Sequence, residues 1–297
     1  MEIPLQAPLG LGNGAASLSR PVSPWTIAMA TVRKNLQTNL RYLPNLVGNL
    51  AEMAVRALFF LLLSNTVSMS GTTVNGIALS GHNLYIFLLA SLSLFVFTRS
   101  TMYGPINAVT NDLYNGTLEY LYSGPGSRYA YYVGVVVSEV LINLVVFVPV
   151  FCLLALVSRA GLASLGMMLL VCLAVLVSLT AMGIMIALLA LVWKQVGSIV
   201  SVLAILFELV AGAYLPLSSF PRAVQAFAYL LPFTWGYDLL RYYSFSSPTL
   251  GHPWQTILPV GAEWAVVGLF AVIFTLTSRY LLKQAEERAK QQGLHVL

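Results

Sequence analysis

Long apolar segments alternate with shorter polar ones along the chain, and this alternation predicts the architecture. There are six apolar segments, at about residues 46–69, 83–107, 132–157, 162–191, 197–215 and 258–281. Each is long enough to cross the roughly 30 Å hydrocarbon core of a bilayer as a helix. Because no stretch rich in Pro, Gly or Ser divides them, the pattern predicts one all-α membrane domain over 23–297 with six transmembrane helices.

An amphipathic segment precedes the first apolar one. Ser23 followed by Pro24 is a favourable helix start. Beyond it, apolar residues recur at steps of three and four; they are Trp25, Met29, Val32, Leu36, Leu40 and Leu43. The opposite face carries the basic residues Arg33, Lys34 and Arg41. This arrangement predicts a helix over 24–43 that lies in the membrane interface, preceded by a flexible segment over 1–22.

The segment between the last two predicted spans combines prolines with short apolar stretches. Pro216, Pro221 and Pro232 separate stretches at 223–231 and 235–243, each too short to cross a bilayer. Ten aromatic residues lie between positions 220 and 254. Aromatic side chains concentrate at membrane–water interfaces. The pattern therefore predicts short outer helices that sit at the outer interface or re-enter it.

Composition and charge agree with a membrane protein. Apolar residues make up 58% of the 297 residues and charged residues 8%, against about 25% charged in soluble domains. With the N-terminus inside, the cytoplasmic segments contain ten Lys and Arg residues and the outer segments three. The positive-inside rule then puts both termini in the cytoplasm. This asymmetry also accounts for the net charge of +5 without a nucleic-acid partner.

Five charged residues fall within the first, second, third and fifth predicted spans. Glu52 and Arg56 are four residues apart, so they share a helix face and are expected to pair. Counting about 1.5 Å per residue from each span centre, Arg99 and Glu139 match in depth, which predicts that they pair as well. Glu208 lies towards the outer side among apolar residues. It either lines a substrate path or bonds a neighbouring hydroxyl or backbone group.

The sequence gives little support for a disulfide, a metal site or an ATP-binding site. Cys152 and Cys172 lie within predicted spans, which favours apolar packing over a disulfide or a metal site. The histidines His82, His252 and His295 have no metal-ligand spacing. The chain also has no Gly-x-x-x-x-Gly-Lys-Ser/Thr run, so it is not expected to bind the phosphates of ATP itself.

Two local patterns carry more specific information. The first is Asp-Leu-Tyr-Asn-Gly-Thr-Leu-Glu at 112–119, followed by Pro125, Arg128 and Gly134. The second is Gly-Ala-Tyr-Leu-Pro-Leu at 212–217, then Pro221, Leu-Pro-Phe-Thr at 231–234 and Asp-Leu-Leu-Arg at 238–241. Together they resemble ABC transporter permeases of the type 2 export family. In the first region that family typically has acidic residues, then Gly-Thr-Leu-Glu, then a proline and a glycine; Tyr114 stands where it often has a second acid.

The resemblance implies a permease that dimerises, with itself or with a second permease, and binds a separate ABC ATPase on its cytoplasmic face. ATP and Mg would be bound by that ATPase, so this chain would carry no cofactor and catalyse no reaction. The loop after the second span would supply a coupling helix for the ATPase; its residues here are Asp112, Gly116, Thr117, Leu118 and Glu119. The helix over 24–43 would form the other side of that contact.

The same resemblance implies an outer re-entrant element before the last span; its marker residues here are Pro216, Pro221, Pro232, Asp238 and Arg241. It also implies that the protein exports its substrate across a prokaryotic plasma membrane, in which lipids surround it. The aromatic outer region fits a drug, a lipid, a glycolipid or a polysaccharide as substrate, and the sequence does not choose among them.

Three alternatives stay open. A secondary transporter or channel driven by an ion gradient would need intramembrane charges arranged as a relay, whereas Arg99, Glu139 and Glu208 do not cluster at one depth. A membrane-embedded enzyme would need a nucleophile beside a base, and the three histidines lie in predicted outer loops and the tail. The third alternative is a scaffold or assembly subunit.

Overall fold

A computed structural model describes residues 23–41, 43–67, 73–74, 77–114, 116, 127–192, 197–246 and 254–292. Nine α-helices occupy most of these residues: α1 Pro24–Arg41, α2 Leu43–Thr66, α3 Gly81–Tyr114, α4 Arg128–Ser158, α5 Leu162–Val192, α6 Gly197–Val210, α7 Arg222–Ala228, α8 Pro232–Phe245 and α9 Val260–Gln292. A single 3-10 turn, Leu217–Ser219, precedes α7. The predicted helix start at Pro24 is confirmed.

Five helices in the described part of the chain are long and apolar enough to cross a membrane, namely α2, α3, α4, α5 and α9. They coincide with five of the six predicted spans. The sixth, 197–215, corresponds to α6, whose 14 described residues extend about 21 Å. That is shorter than a hydrocarbon core of about 30 Å. The fold is thus an all-α membrane protein, and the count of six spans stays a prediction.

The end predicted for the span 197–215 is wrong. The helix ends at Val210, because Gly212 adopts a left-handed backbone with φ of 85° and Pro216 follows in an extended conformation. A left-handed glycine at this position is a common helix terminator. The chain therefore turns back towards α6 before the short outer helices begin.

The end predicted for the second span is also wrong. The span was expected to stop at residue 107, yet α3 continues to Tyr114 and has Pro105 in its interior. The missing N–H of a proline leaves the carbonyl four residues earlier, here that of Thr101, without its usual helical donor. Gly183 of α5 approaches this carbonyl so closely that a Cβ would lie 1.9 Å from its oxygen. This close contact with α5 supports α3 in the region where its sequence becomes less apolar.

Helix α3 forms the centre of the molecule. Its most apolar window is 94% buried, against 17% for α2 and 11% for α9. It packs against α2, α4, α5 and α8, and a large hydrophobic core runs along these contacts. The peripheral helices α2 and α9 instead expose large apolar side chains, as expected of surfaces that face lipid or another membrane subunit.

Within the described residues, one small feature departs from the helical fold. Two-residue strands, β1 Thr73–Val74 and β2 Ile77–Ala78, pair antiparallel between α2 and α3. They flank the dipeptide Asn-Gly at 75–76, a sequence typical of two-residue hairpin turns. The hydropathy pattern does not reveal these strands, because two residues are too few to show alternation.

Candidate functional site

Asp112 joins three helices at the end that the sequence predicts to be cytoplasmic. It lies in the last turn of α3 and is buried. The hydroxyl of Tyr131 in α4 donates a hydrogen bond to its Oδ2. The Nζ of Lys34 in α1 lies 3.7 Å from its Oδ1. One carboxylate thus ties α1, α3 and α4 together.

The expectation that Asp112 belongs to the coupling loop stays a prediction, and the structure places this residue in the last turn of α3. The carboxylate is buried and engaged within the chain, because α3 extends seven residues beyond the predicted end at 107. Gly116, four residues later, is exposed and has a φ of 65°, a backbone conformation that favours glycine. Thr117, Leu118 and Glu119 lie outside the described residues.

Helix α1 packs closely on α4 through Gly134. A Cβ at Gly134 would lie 2.7 Å from the carbonyl oxygen of Ala28, so a larger residue would separate the helices. Nearby, Nδ2 of Asn35 donates a hydrogen bond of 3.0 Å to Oγ of Ser138. Val32 is buried in this contact, which explains part of the predicted apolar stripe.

Most of the other residues in the amphipathic pattern of α1 are exposed. Trp25, Met29 and Leu40 are exposed apolar side chains, and Arg33 and Arg41 are exposed basic ones. An exposed apolar row beside exposed basic residues suits the surface of a membrane. The placement of α1 in the interface stays a prediction.

A charged cavity lies between α2, α3 and α6. It has a volume of about 540 Å³, and Glu52, Arg56 and Glu208 all line it. The predicted pair is present: Nη2 of Arg56 lies 3.1 Å from Oε1 of Glu52. The guanidinium also lies over the ring of Phe95, 4.8 Å from its centroid, which helps to hold the cation at a partly apolar surface.

Glu208 is not isolated among apolar residues. The hydroxyl of Tyr214 donates a hydrogen bond of 2.9 Å to its Oε1, and both residues line the charged cavity. The turn at Gly212 makes this contact possible, since it directs Tyr214 back along α6. Both roles considered for Glu208, a wall of a path and a partner of a hydroxyl, thus fit its position. Spacing within a single helix could not predict a contact made across a turn.

Glu139 lines a separate cavity of about 170 Å³, with Asn49, Asn107 and Asn143. Its side chain packs against Gly104 of α3, where a Cβ would lie 2.6 Å from Cγ of Glu139. The side chain of Arg99 lies outside the described residues. The pairing of Arg99 with Glu139 therefore stays a prediction.

Arg241 forms a buried anchor in the predicted outer element. Its Nη2 donates hydrogen bonds of 2.6 Å to Oγ of Ser91 and 2.7 Å to the carbonyl oxygen of Gly212. The guanidinium stacks on the ring of Phe87, with Cζ 3.5 Å from the centroid. One side chain of α8 thus contacts both the first third of α3 and the turn after α6. Sequence reasoning found Arg241 but missed Ser91, which looks like any other hydroxyl of an apolar span.

Asp238 binds the segment on the other side of α8. Its Oδ1 accepts a hydrogen bond of 2.7 Å from Nε1 of Trp254, and its Oδ2 accepts one of 2.8 Å from the backbone N–H of Ile257. Glu263, at the start of α9, accepts from the backbone N–H of Leu258 at 3.1 Å. These contacts attach the start of the last long helix to α8.

The three prolines of this element stand where its short helices begin. Pro216 and Pro221 are the residues just before the 3-10 turn and α7, and Pro232 occupies the first turn of α8. Twelve of the 14 residues of α8 are buried. The helix therefore packs inside the fold, against α3 and α5, and does not lie on its surface.

Among the described residues, no three His, Cys, Asp or Glu side chains gather as a metal site would require. The family model of ABC-2 type transporters matches residues 27–245, which span α1 to α8. No curated protein matches the chain. Proteins of this family are the non-catalytic permease component of ABC transporters and generally work with an ATPase subunit. With its family match over most of its length and its several spanning helices, the chain is a multi-pass membrane protein that belongs to the ABC-2 type transporter family.

Proposed function

We propose that the chain is the transmembrane subunit of an ATP-driven exporter, which forms the substrate path as a dimer and is coupled to separate ATPase subunits. Family membership supports the permease role. The observation that carries the coupling is the junction at Asp112, because it links three helices beside the segment expected to meet the ATPase. Both termini and this junction would face the cytoplasm of a prokaryote, as the distribution of basic residues predicts.

The junction suits the transmission of a mechanical displacement. ATP-driven closure of two ATPase subunits has to move rigid, packed elements between two arrangements. A push on residues 116–119 would reach α3 directly and α1 and α4 through Asp112. The close packing at Gly134 would keep α1 and α4 moving together. Separate motions of these helices would dissipate the displacement.

Helix α3 would carry the displacement into the membrane. It contacts α2, α4, α5 and α8. Its Ser91 is bonded to Arg241, which also holds the turn after α6. A shift of α3 would therefore act on both walls of the charged cavity, α2 and α6. The cavity would open or close as the distance between α2 and α6 changes.

The charged cavity is the proposed lining of the substrate path. Glu52 and Arg56 are each about one-third exposed within a span, at 35% and 36% of their side chains. Partly exposed charges at membrane depth are costly unless they face water or another subunit. A path through the dimer interface meets this requirement. Its mixture of aromatic, charged and hydroxyl groups fits a drug, a lipid or a glycan-like substrate.

The coupling proposal is tested by Glu119→Arg in proteoliposomes that contain the permease and its ATPase. We expect the assembly to form and hydrolyse ATP, while the number of substrate molecules exported per ATP falls at least tenfold. Glu287→Arg is the matched control, since it makes the same charge change at an exposed position of α9. Equal coupling in wild type and Glu119→Arg would remove this segment from the mechanism.

An ion-gradient-driven transporter is the second candidate, and one observation favours it: the structure gathers Glu52, Arg56 and Glu208 around a single cavity. A proton relay would need such a cluster. Uphill transport is therefore measured with ATP alone and with a proton gradient alone. Transport that persists without ATP and collapses with a proton ionophore would replace the exporter proposal by this one.

A further inference from the structure

A long apolar groove lies away from the charged cavity. It has a volume of about 770 Å³ and runs between α1, α4 and α9. Its walls are apolar, and they include Met29 of α1, Val137 and Leu141 of α4 and Leu282 of α9. Along α4 the groove extends from Ser127 to Leu141, about 21 Å at 1.5 Å per residue. This length exceeds half the thickness of a hydrocarbon core of about 30 Å.

One end of the groove is basic. Arg279 and Lys283 of α9 line it beside Ser127 and Tyr129, at the N-terminal end of α4. The guanidinium of Arg279 lies over the ring of Tyr129, 5.0 Å from its centroid, which fixes the cation at this end. The helix N-terminus adds a partial positive charge. The groove thus has a cationic head region and an apolar body.

We propose that this groove binds one anionic phospholipid of the cytoplasmic leaflet. The phosphate would lie between Arg279 and Lys283, and an acyl chain would follow the apolar wall of α4 towards Leu141. Basic pockets between membrane helices on the cytoplasmic side are suited to anionic headgroups. Lys283 is available for such a contact, because its ion pair with Glu287 is 4.0 Å long and its side chain is 77% exposed.

Other occupants fit the groove less well. A soluble partner would have to place an apolar segment about 21 Å long along α4, at the depth of one leaflet. Residues 1–22 of this chain carry Glu2 as their one acid, at the far end from α1, and so offer little charge to complement the basic end. An amphiphile with an anionic head and an apolar tail matches both regions at once.

The binding test uses the full chain in nanodiscs that contain phosphatidylglycerol and phosphatidylcholine with identical acyl chains. Native mass spectrometry counts the lipids that each subunit retains. We expect phosphatidylglycerol to be retained in about tenfold preference over phosphatidylcholine, since each basic residue near an anionic surface contributes a severalfold gain. Equal retention of the two lipids would overturn the proposal.

Two variants locate the site. Arg279→Gln with Lys283→Gln is expected to abolish the preference for phosphatidylglycerol. The matched control is Arg33→Gln with Arg41→Gln, which removes two exposed cations of α1 that do not line the groove, and it should keep the preference. If both pairs lower retention equally, diffuse surface charge explains the binding and the proposal fails.

A photoreactive benzoylphenylalanine in place of Val137 identifies the occupant. Val137 is an exposed residue of the apolar wall, so this substitution leaves the core of the fold intact. An adduct with a phospholipid supports the proposal, whereas an adduct with residues 1–22 or with a second subunit overturns it. The inference requires only that the chain lies in a bilayer. Failure of the export proposal would therefore leave it standing, and its own failure would leave export untouched.

Discussion

The charged groups inside this membrane domain are stabilised by contacts with a few individual side chains and backbone groups. Arg241 uses a hydroxyl, two backbone carbonyls and an aromatic ring, so the cation is compensated by dipoles and a π face. Arg56 uses a carboxylate and an aromatic ring. Arg241 is buried, whereas the side chain of Arg56 is about one-third exposed, at 36%. The difference separates a structural anchor from a candidate binding group.

Replacing Arg241 should therefore destabilise the fold. Arg241→Ala removes three hydrogen bonds from a charged donor and leaves two carbonyls of the α6 turn without their partner. We expect a loss on the order of 3 kcal/mol. Arg241→Lys should recover only part of it, because an ammonium cannot reproduce the planar stack on Phe87. Thermal unfolding in detergent measures both, with exposed Arg222→Ala as the control; equal melting temperatures would contradict this role.

Glu208 and Tyr214 call for a pair of substitutions that separates charge from hydrogen bonding. Glu208→Gln removes the charge but keeps an acceptor for the Tyr214 hydroxyl, so the fold should be unaffected. We expect it to change the KM for export severalfold. Tyr214→Phe removes the hydrogen bond, so this variant, unlike Glu208→Gln, should have a lower melting temperature than wild type. Export kinetics of Glu208→Gln that match wild type, together with a destabilised Tyr214→Phe, would reduce Glu208 to a structural role.

At the scale of elements, the proposed coupling requires α1 and α4 to move together, and Gly134 lies in the contact between them. Gly134→Leu would force the helices apart, since even a Cβ would lie 2.7 Å from the carbonyl oxygen of Ala28. Overpacking of this kind costs about 1–3 kcal/mol. We expect the assembly to hydrolyse ATP with severalfold less export per ATP. Gly268→Leu on α9, where a Cβ meets no atom within 4 Å, is the control.

A second outcome is possible for Gly134→Leu and is informative. Equal loss of hydrolysis and export would mean that the ATPase no longer binds, and pull-down of the ATPase separates this case from uncoupling. Unchanged export per ATP in Gly134→Leu, with the ATPase bound, would show that α1 and α4 need not move as a unit.

The sequence predicted the elements that leave a local signal in the order of residues. Apolar runs located the long helices, and Ser23-Pro24 located the start of α1, because both signals are local. The ends of α3 and α6 were missed for a different reason. They depend on a neighbouring helix at Gly183 and on the backbone of Gly212, neither of which shows in hydropathy.

The candidate site was predictable only where its contacts lie within one helix. Glu52 and Arg56 are four residues apart, so their pairing followed from helix geometry. The contact of Glu208 with Tyr214 crosses a turn, and that of Asp112 with Lys34 crosses from α3 to α1. Contacts between elements need the three-dimensional arrangement, and counting depth along separate spans cannot supply it.

At the scale of the whole molecule, the exposed charged cavity implies a partner surface. The cavity opens beside the apolar faces of α2 and α6, on which Val55, Phe59, Val202 and Ile205 are exposed. Lipid against Glu52 and Arg56 would leave charges in an apolar solvent, whereas a second subunit can enclose them around a wet path. The face formed by α2 and α6 is therefore the proposed dimer interface, and the face of α9 is proposed to meet lipid.

Cysteine cross-linking distinguishes the two faces. In a variant that lacks Cys152 and Cys172, Ile205→Cys on α6 and Leu276→Cys on α9 provide probes of matched exposure, 64% and 63%. Under mild oxidation in membranes we expect a disulfide-linked dimer from Ile205→Cys and little from Leu276→Cys. This follows because Cα atoms must approach within about 7 Å for a disulfide to form. A dimer from Leu276→Cys alone would move the interface to α9, and the charged cavity would then face lipid or an unrelated subunit. The substrate path would have to be sought elsewhere in the fold.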